Sequence, residues 1–460
     1  MKNTPLSLRD ISCFLLPIFV GMSYPLQVLS GRPSAATLSI LLWPLIFFPS
    51  LKLRQDRPTP SAKAQGTPTW DIIVFLLLSF FLLNIAITQF SFGPTTLRPI
   101  ASTLFMISSA ALTYFFFSRM AHERHIRWFL KGAVIMGIIS AVFFVVDTGY
   151  KRILNQATQY SYWAHLYSIH SEDIILGDFE ANTFRIDSAY RSFGLLERHS
   201  TSALWVIMGF FSYCTLEQRL SSRRNAFSLT LLCLLFTQNF TALFTFLVIS
   251  LHFNRKFFSF KSILYPLIAV MAATVIFDAE MVRSILAFIW RIIQSQISMV
   301  LTIDTVLNPN SFSSLVIHEF NRFISEAMTR PHQLLIGFGL SANPYYGTSG
   351  DVGFFESIMR IGLPLWSIFT WQVVLAFLNL RRSVNKNRNL AHRKSIEIKQ
   401  LGICIISAIW LMDLHYSCWI YKTIFPIFFF AIALARRNPD PVPRSRAISS
   451  NMPSQPNPVI

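Results

Sequence analysis

The stretch that decides the fold is Trp70–Phe90, WDIIVFLLLSFFLLNIAITQF, whose one charged residue, Asp71, lies at its start. A helix of about 20 apolar residues is long enough to cross the hydrocarbon core of a bilayer. Similar apolar runs recur at Ile11–Leu29, Ala35–Leu53, Pro99–Phe117, Trp128–Val146, Ser200–Cys214, Ser262–Phe277, Phe354–Leu378, Leu401–Cys418 and Thr423–Leu434. The pattern predicts a chain that crosses a membrane many times.

The composition supports this interpretation. Hydrophobic residues make up 53% of the 460-residue chain and charged residues 13%, whereas soluble proteins carry roughly 25% charged residues. The apolar runs do not alternate as the strands of a membrane barrel would. We therefore predict an all-α polytopic membrane protein with about twelve transmembrane helices. Residues 1–436 form one membrane domain in this interpretation, and 437–460 form a disordered cytoplasmic tail.

The basic residues are distributed unevenly along the chain. The segments 1–10, 51–71, 118–131, 217–225, 253–261, 379–400 and 435–460 hold 27 of the 40 Lys and Arg residues and 7 of the 22 Asp and Glu residues, a net charge of +20. The rest of the chain has a net charge of −2, which completes the total of +18. This distribution is typical of the positive-inside rule rather than of nucleic-acid binding. We predict that both termini are cytoplasmic and that two long mixed-charge loops, 148–199 and 279–351, lie outside.

Two apolar segments have an ambiguous relation to the membrane. Residues 226–252 form an apolar block that Thr237-Gln238-Asn239 interrupts. The block is long for one membrane-crossing helix and short for two. The charge distribution favours two short helices that meet at this tripeptide. Ile285–Ile303 lies inside the second outer loop, and we interpret it as a helix on the outer membrane surface.

Cationic side chains end the first outer loop, which reads YRSFGLLERHS over 190–200. Arg191, Arg198 and His199 are therefore predicted at the outer mouth of the helix that follows. An Arg guanidinium suits a phosphate or diphosphate, and a helix N-terminus, capped by Ser200 or Thr201, also favours an anion. The alternative is that these arginines anchor the loop to lipid headgroups or pair with nearby carboxylates.

The second outer loop carries a second set of candidate residues. His318 and Arg322 are four residues apart, so on a helix they share a face. The segment Gly337-Phe338-Gly339 permits a tight turn that brings backbone close to a ligand. These residues predict a second part of the same site.

Several acidic residues lie near predicted outer helix ends. Asp351 and Glu356 stand at the start of one run, where each is either an acid or base or a favourable partner of the helix dipole. Asp413 lies near the end of another run, and an ion pair with Lys422 is its plainer interpretation. Arg360 is predicted to face protein rather than lipid.

Together these features resemble the O-antigen polymerase and O-antigen ligase superfamily of bacterial membrane glycosyltransferases. The features are Arg191-Ser192-Phe193-Gly194 with Arg198-His199 after it, the Thr237-Gln238-Asn239 break, Arg322, Gly337-Phe338-Gly339, Asp351-x-Gly353 and Gly362-Leu363-Pro364. The resemblance covers 130–380. Ligases of the superfamily carry a His where this chain has Asp-x-Gly, a form that looks more like a polymerase.

The resemblance implies a metal-independent enzyme without cofactors in the bacterial cytoplasmic (inner) membrane. It would transfer a glycan from a polyprenyl diphosphate to another lipid-linked repeat, as a polymerase, or to a lipid core, as a ligase. Its expected partners are the lipid-linked oligosaccharide, the bilayer, and a chain-length regulator and flippase, with no nucleic acid.

The resemblance also implies roles for particular residues. Arg191 and Arg322 would bind the diphosphate and stabilise its leaving charge, with Arg198 beside them. Asp351 is the first candidate for the base that deprotonates the acceptor hydroxyl, and His199 and His318 are the next candidates.

A transporter such as a flippase for lipid-linked glycans is the competing class, since about twelve spans with both ends inside suit it too. Two features count against it. The long loops are predicted outside rather than at the cytoplasmic centre of the chain, and few charges lie deep within the apolar runs to couple ions.

Overall fold

The structure is a computed structural model of the chain. It describes residues 6–30, 41–52, 68–92, 97–153, 194–196, 199–237, 239–257, 259, 261, 264–265, 268, 312–329, 331–337, 353–386, 390–413, 418–421 and 423–436. Every regular element within these ranges is helical, which confirms the all-α prediction.

The described residues form fifteen α-helices and three short helical turns. The α-helices are α1 (Leu8–Gly21), α2 (Ser23–Ser30), α3 (Leu42–Lys52), α4 (Pro68–Phe92), α5 (Leu97–Phe115), α6 (Glu123–Ile153), α7 (His199–Leu216), α8 (Leu220–Thr237), α9 (Phe240–Phe253), α10 (Phe312–Thr329), α11 (Pro331–Ile336), α12 (Gly353–Ile361), α13 (Leu363–Lys386), α14 (Leu390–Met412) and α15 (Phe425–Arg436). A π-helical turn, Phe116–Met120, follows α5, and 3₁₀ turns lie at Arg255–Phe257 and Cys418–Ile420.

Two of the predicted runs are each divided into two helices. Ile11–Leu29 is interrupted at Met22, between α1 and α2. The expectation of one continuous helix across Phe354–Leu378 is also wrong, because Gly362 separates α12 from α13 with a φ of 82°. Glycine adopts this left-handed conformation without a steric penalty. In addition, α6 continues to Ile153, so its last turns lie within the predicted first loop.

The block 226–252 is two helices, as the charge distribution predicted. Asn239 caps α9, since its side-chain oxygen accepts a hydrogen bond from a backbone N–H three residues later, at 3.1 Å. Arg224 donates to the carbonyl of Lys256 at 2.9 Å, so the start of α8 lies beside the end of α9. Phe227 of α8 stacks on Phe246 of α9 with ring centroids 5.1 Å apart. The two helices therefore form a hairpin.

The helices α6 and α7 form the central pair of the described fold. A Cβ built on Gly137 would lie 2.8 Å from the Cα of Gly209, so the two backbones touch at these residues. Small residues permit such close approach between apolar helices. Helix α1 packs on the other side of α6, while α14 packs against α7.

Segments with predicted cytoplasmic location contact one another. Asp10 near the N-terminus pairs with Arg124 at 2.8 Å. Asp71 at the start of α4 pairs with Arg119 at 3.5 Å and also with Arg436 at the end of α15. These ion pairs join segments that are distant in sequence, and they bring together four of the predicted cytoplasmic segments, 1–10, 51–71, 118–131 and 435–460.

One helix among the described residues, Glu123–Asp147 within α6, is long and apolar enough to cross a membrane. Shorter apolar helices lie at Trp70–Leu83, Leu104–Met120, Thr241–Phe253, Leu363–Leu375 and Phe425–Arg436. The number of crossings and their orientation therefore stay predictions. The proposed surface helix Ile285–Ile303 and the tail 437–460 lie outside the described residues.

The Gly137–Gly209 contact predicts how α6 tolerates substitution. Gly137→Val should lower the thermal unfolding midpoint of the detergent-solubilised protein by several degrees, since overpacking costs about 1–3 kcal/mol. Ile138→Val is the matched control, because the neighbouring Ile138 is 53% exposed. Equal midpoints for the two variants would contradict the described helix contact.

Candidate functional site

The first component of the site is Arg322 on α10. Helix α10 covers 312–329 without interruption, which confirms that His318 and Arg322 lie one turn apart on a helix. Arg322 is exposed, whereas the next residue, Phe323, is buried and stacks on Phe355 of α12 with ring centroids 5.0 Å apart. This aromatic contact fixes α10 against α12, and it holds the cationic residue beside the start of α12.

A second contact fixes α11 against the other end of α12. A Cβ on Gly337 would lie 2.3 Å from the carbonyl oxygen of Arg360, and a Cβ on Gly362 would lie 2.3 Å from the carbonyl oxygen of Leu335. Both glycines have positive φ values, 79° and 82°, so only glycine fits both the space and the backbone conformation. The tight approach predicted for Gly337 is therefore made to the backbone of α12. Gly339 lies outside the described residues.

Helix α12 buries an ion pair. Glu356 and Arg360 are joined at 2.9 Å, with side chains that are only 6% and 8% exposed. This confirms that Arg360 faces protein. It also gives Glu356 a structural role, since removing either partner of a buried pair costs about 3–5 kcal/mol.

A buried polar network joins α12 to the end of α14. The Ser357 hydroxyl lies 2.8 and 3.0 Å from the two carboxylate oxygens of Asp413. The indole N–H of Trp419, in the last 3₁₀ turn, donates to the same hydroxyl oxygen at 2.8 Å. These hydrogen bonds join the end of α14 to α12, a connection that the sequence did not indicate. Lys422, the predicted partner of Asp413, lies outside the described residues.

Asp413 also lines a small, partly open cleft. The other lining residues are apolar and mostly aromatic: Leu77, Ile361, Trp366, Phe369, Ile409, Trp410, Trp419 and Phe428. Trp366 also packs against the small cluster that contains Phe323 and Phe355. The helix that carries Arg322 and the wall of the cleft therefore share one hydrophobic cluster.

The end of the first outer loop is fixed by a different carboxylate. Asp147 near the end of α6 is fully buried, and one of its oxygens lies 3.4 Å from the backbone N–H of Gly194. Gly194 has a φ of 71°, and a Cβ there would lie 3.0 Å from the ring of Phe144. One sequence feature could have indicated this contact: Asp147 is a single acidic residue directly after the apolar run Trp128–Val146.

Helix α7 begins directly at His199, which is 4% exposed. The prediction that Ser200 or Thr201 caps this helix is wrong, because both residues lie inside it. Instead, the Ser202 hydroxyl accepts a hydrogen bond from the backbone N–H of Leu196 at 3.0 Å. The loop end and the start of α7 are thus tied together by side chains of α6 and α7.

The structure leaves part of the predicted site undescribed. Arg191, Arg198 and Asp351 lie outside the described residues, and for His318 only the helical backbone is described. Within the described ranges, no group of three His, Cys, Asp or Glu side chains has the arrangement of a metal site. No protein-family model matches the chain, and no curated protein matches it.

The paired glycines predict the effect of a single methyl group. Gly362→Ala should detach α11 from α12, because the added Cβ would collide with a backbone carbonyl. We expect faster cleavage of the variant by a protease added to the detergent-solubilised protein, with new cuts between α10 and α12. Leu335→Ala, at a position 64% exposed, is the control and should resemble the wild type. An unchanged digestion pattern for Gly362→Ala would contradict the assigned contact.

Proposed function

We propose that this protein is a membrane glycosyltransferase that polymerises lipid-linked repeat units. It transfers a glycan from a polyprenyl diphosphate to a second lipid-linked repeat at the outer face of the bacterial inner membrane. The observation that carries this proposal is the packing of the Arg322-bearing helix α10 against α12, which bears a buried carboxylate network beside an aromatic cleft.

The membrane location is supported by the outward side chains of α6. Ile135, Ile138, Val142 and Val145 are each at least 40% exposed and follow helical spacing along one face. Exposing this apolar face to water would be unfavourable, whereas lipid chains would cover it. The ion pairs among the basic segments support the proposed grouping of their helix ends on one side, which the positive-inside rule makes cytoplasmic.

The chemistry follows from the charge of the substrate. A diphosphate leaving group gains negative charge as its bond to the sugar breaks, and guanidinium groups stabilise this charge by bidentate hydrogen bonds. We assign this function to Arg322, together with Arg191 and Arg198 from the first loop. The acceptor hydroxyl must lose a proton in the same reaction, and the sequence candidates for its base are Asp351, His199 and His318.

Polymerisation is preferred to ligation because the chain has Asp351-Val352-Gly353 where ligases of the superfamily that it resembles carry a His.

Deletion of the gene, followed by a gel of the surface glycan, distinguishes a polymerase from a ligase and a flippase. A polymerase mutant keeps a single repeat and loses the ladder of longer products. Loss of all attached glycan would indicate a ligase, repeat units trapped inside would indicate a flippase, and unchanged glycan would refute all three.

The membrane orientation predicts which positions a membrane-impermeant maleimide reaches. All five native cysteines are buried, so background labelling of intact cells should be low. Met328→Cys, at a position 79% exposed on α10, should react in intact cells. Gln218→Cys, in the exposed turn between α7 and α8, should react only after permeabilisation. The reverse pattern would overturn the proposed orientation.

The assignment of Arg322 predicts a graded loss of function. Arg322→Ala should abolish the glycan ladder at normal protein levels, and Arg322→Lys should restore it in part, since Lys keeps the charge without the bidentate geometry. Arg191→Ala should behave like Arg322→Ala. The control is Arg127→Ala, because half-exposed Arg127 pairs with Glu123, one turn away on the same helix, at 2.6 Å. A wild-type ladder for Arg322→Ala would remove this residue from the site.

A further inference from the structure

Asp71, at the start of α4, lies beside two arginines and a tyrosine from other elements. The Tyr114 hydroxyl donates to one carboxylate oxygen of Asp71, and the Arg436 guanidinium donates to the other. A terminal nitrogen of Arg119 lies 3.5 Å from the oxygen that Arg436 contacts. Charge-assisted hydrogen bonds between such groups are about 2.7–2.9 Å long, so Arg119 makes the weaker contact. Two guanidinium groups thus share one carboxylate, and the cluster has an excess of positive charge.

The two arginines of this cluster differ in exposure. Arg436 is buried, and its Nε donates to no group in the part of the chain that the structure describes, so its charge is balanced by Asp71. The Arg119 side chain is 56% exposed. A guanidinium has five N–H donors, and the contact with Asp71 involves one terminal nitrogen of Arg119. The excess positive charge therefore lies at the surface, on Arg119.

The surface beside Arg119 is apolar. Phe115, at the end of α5 and four residues before Arg119, is exposed. On α4, Ile72 directly follows Asp71 and is exposed as well. Phe75 lies one helical turn after Asp71, on the same face of α4, and is 70% exposed. A cationic group therefore stands beside exposed apolar side chains of two helices.

This combination favours a ligand with an anionic head and apolar chains. A guanidinium binds phosphate oxygens by directed, charge-assisted hydrogen bonds. A free phosphate ion would gain nothing from Ile72 and Phe75, and an uncharged lipid chain would gain nothing from Arg119. A phospholipid with a net negative headgroup uses both parts of the surface, and such lipids give the cytoplasmic leaflet its negative surface potential.

We propose that Arg119 binds the phosphate group of an anionic phospholipid, whose acyl chains lie against Ile72, Phe75 and Phe115. The lipid belongs to the leaflet next to the predicted cytoplasmic segments, because both Arg119 and Asp71 lie in those segments. Asp71 holds the Arg119 side chain near the end of α4 without neutralising the cluster. This lipid site requires the membrane location of the chain, and it is independent of the proposed glycan transfer.

The test measures lipid binding to the purified full-length protein in detergent. Phosphatidylglycerol should raise the thermal midpoint of the wild type more than phosphatidylcholine with the same acyl chains, because a ligand of the folded state stabilises it. Arg119→Ala should reduce the affinity for phosphatidylglycerol at least about tenfold, the loss expected for a charge-assisted hydrogen bond. Without lipid, its midpoint should stay near that of the wild type, since an exposed ion pair contributes little stability.

The matched control is Arg127→Ala, which removes another half-exposed arginine from a predicted cytoplasmic segment. This variant should respond to phosphatidylglycerol as the wild type does. A second readout is the number of phosphatidylglycerol molecules that remain bound in native mass spectrometry. Arg119→Ala should retain one fewer than the wild type, and this count is informative even if the substitution lowers the midpoint.

Four results would overturn the proposal. The first is an unchanged lipid count and affinity for Arg119→Ala, which would remove this residue from any lipid site. The second is an equal response of the wild type to the two lipids. The third is an equal loss in Arg127→Ala, which would show general attraction to the basic face. The fourth is the same stabilisation by inorganic phosphate at equal concentration, which would indicate a site for a free anion.

Discussion

The backbone contact between Gly137 and Gly209 holds together α6 and α7, the central pair of the described fold. Because α6 and α7 touch there, α1 and α14 can pack on their outer sides. The same contact brings the far end of α6 to the start of α7, where Asp147 holds Gly194. The position of Gly194, at the end of the first loop, therefore depends on the close packing of α6 and α7.

Buried charge is handled differently in the two regions of the described fold. In the region of the basic segments, carboxylates such as Asp10 and Asp71 pair with arginines and join helix ends. At the cleft, the Ser357 hydroxyl donates to the Asp413 carboxylate, and the Glu356–Arg360 pair is internal to α12. The first arrangement joins distant helix ends by ion pairs, whereas the second joins α12 to the end of α14 by a buried hydrogen-bond network.

The sequence predicted local structure better than it predicted contacts. Apolar length and the polar break at Thr237-Gln238-Asn239 report on individual helices, and the α8–α9 hairpin follows from them. The break at Gly362 was missed because a glycine inside an apolar run is compatible with a continuous helix, and its conformation is set by its packing against Leu335. Asp413 and Ser357 are 56 residues apart, so their hydrogen bond depends on how α12 and α14 pack, which no local pattern encodes.

The proposed function is the transfer of a glycan between lipid carriers at the outer face of the membrane. Its most direct test is a reaction of the purified protein in liposomes of known orientation with a polyprenyl-diphosphate-linked repeat unit. When the substrate glycan is on the outer side, we expect longer lipid-linked glycans and the release of one polyprenyl diphosphate for each new linkage. Movement of unchanged repeat units across the bilayer, without any new linkage, would contradict it.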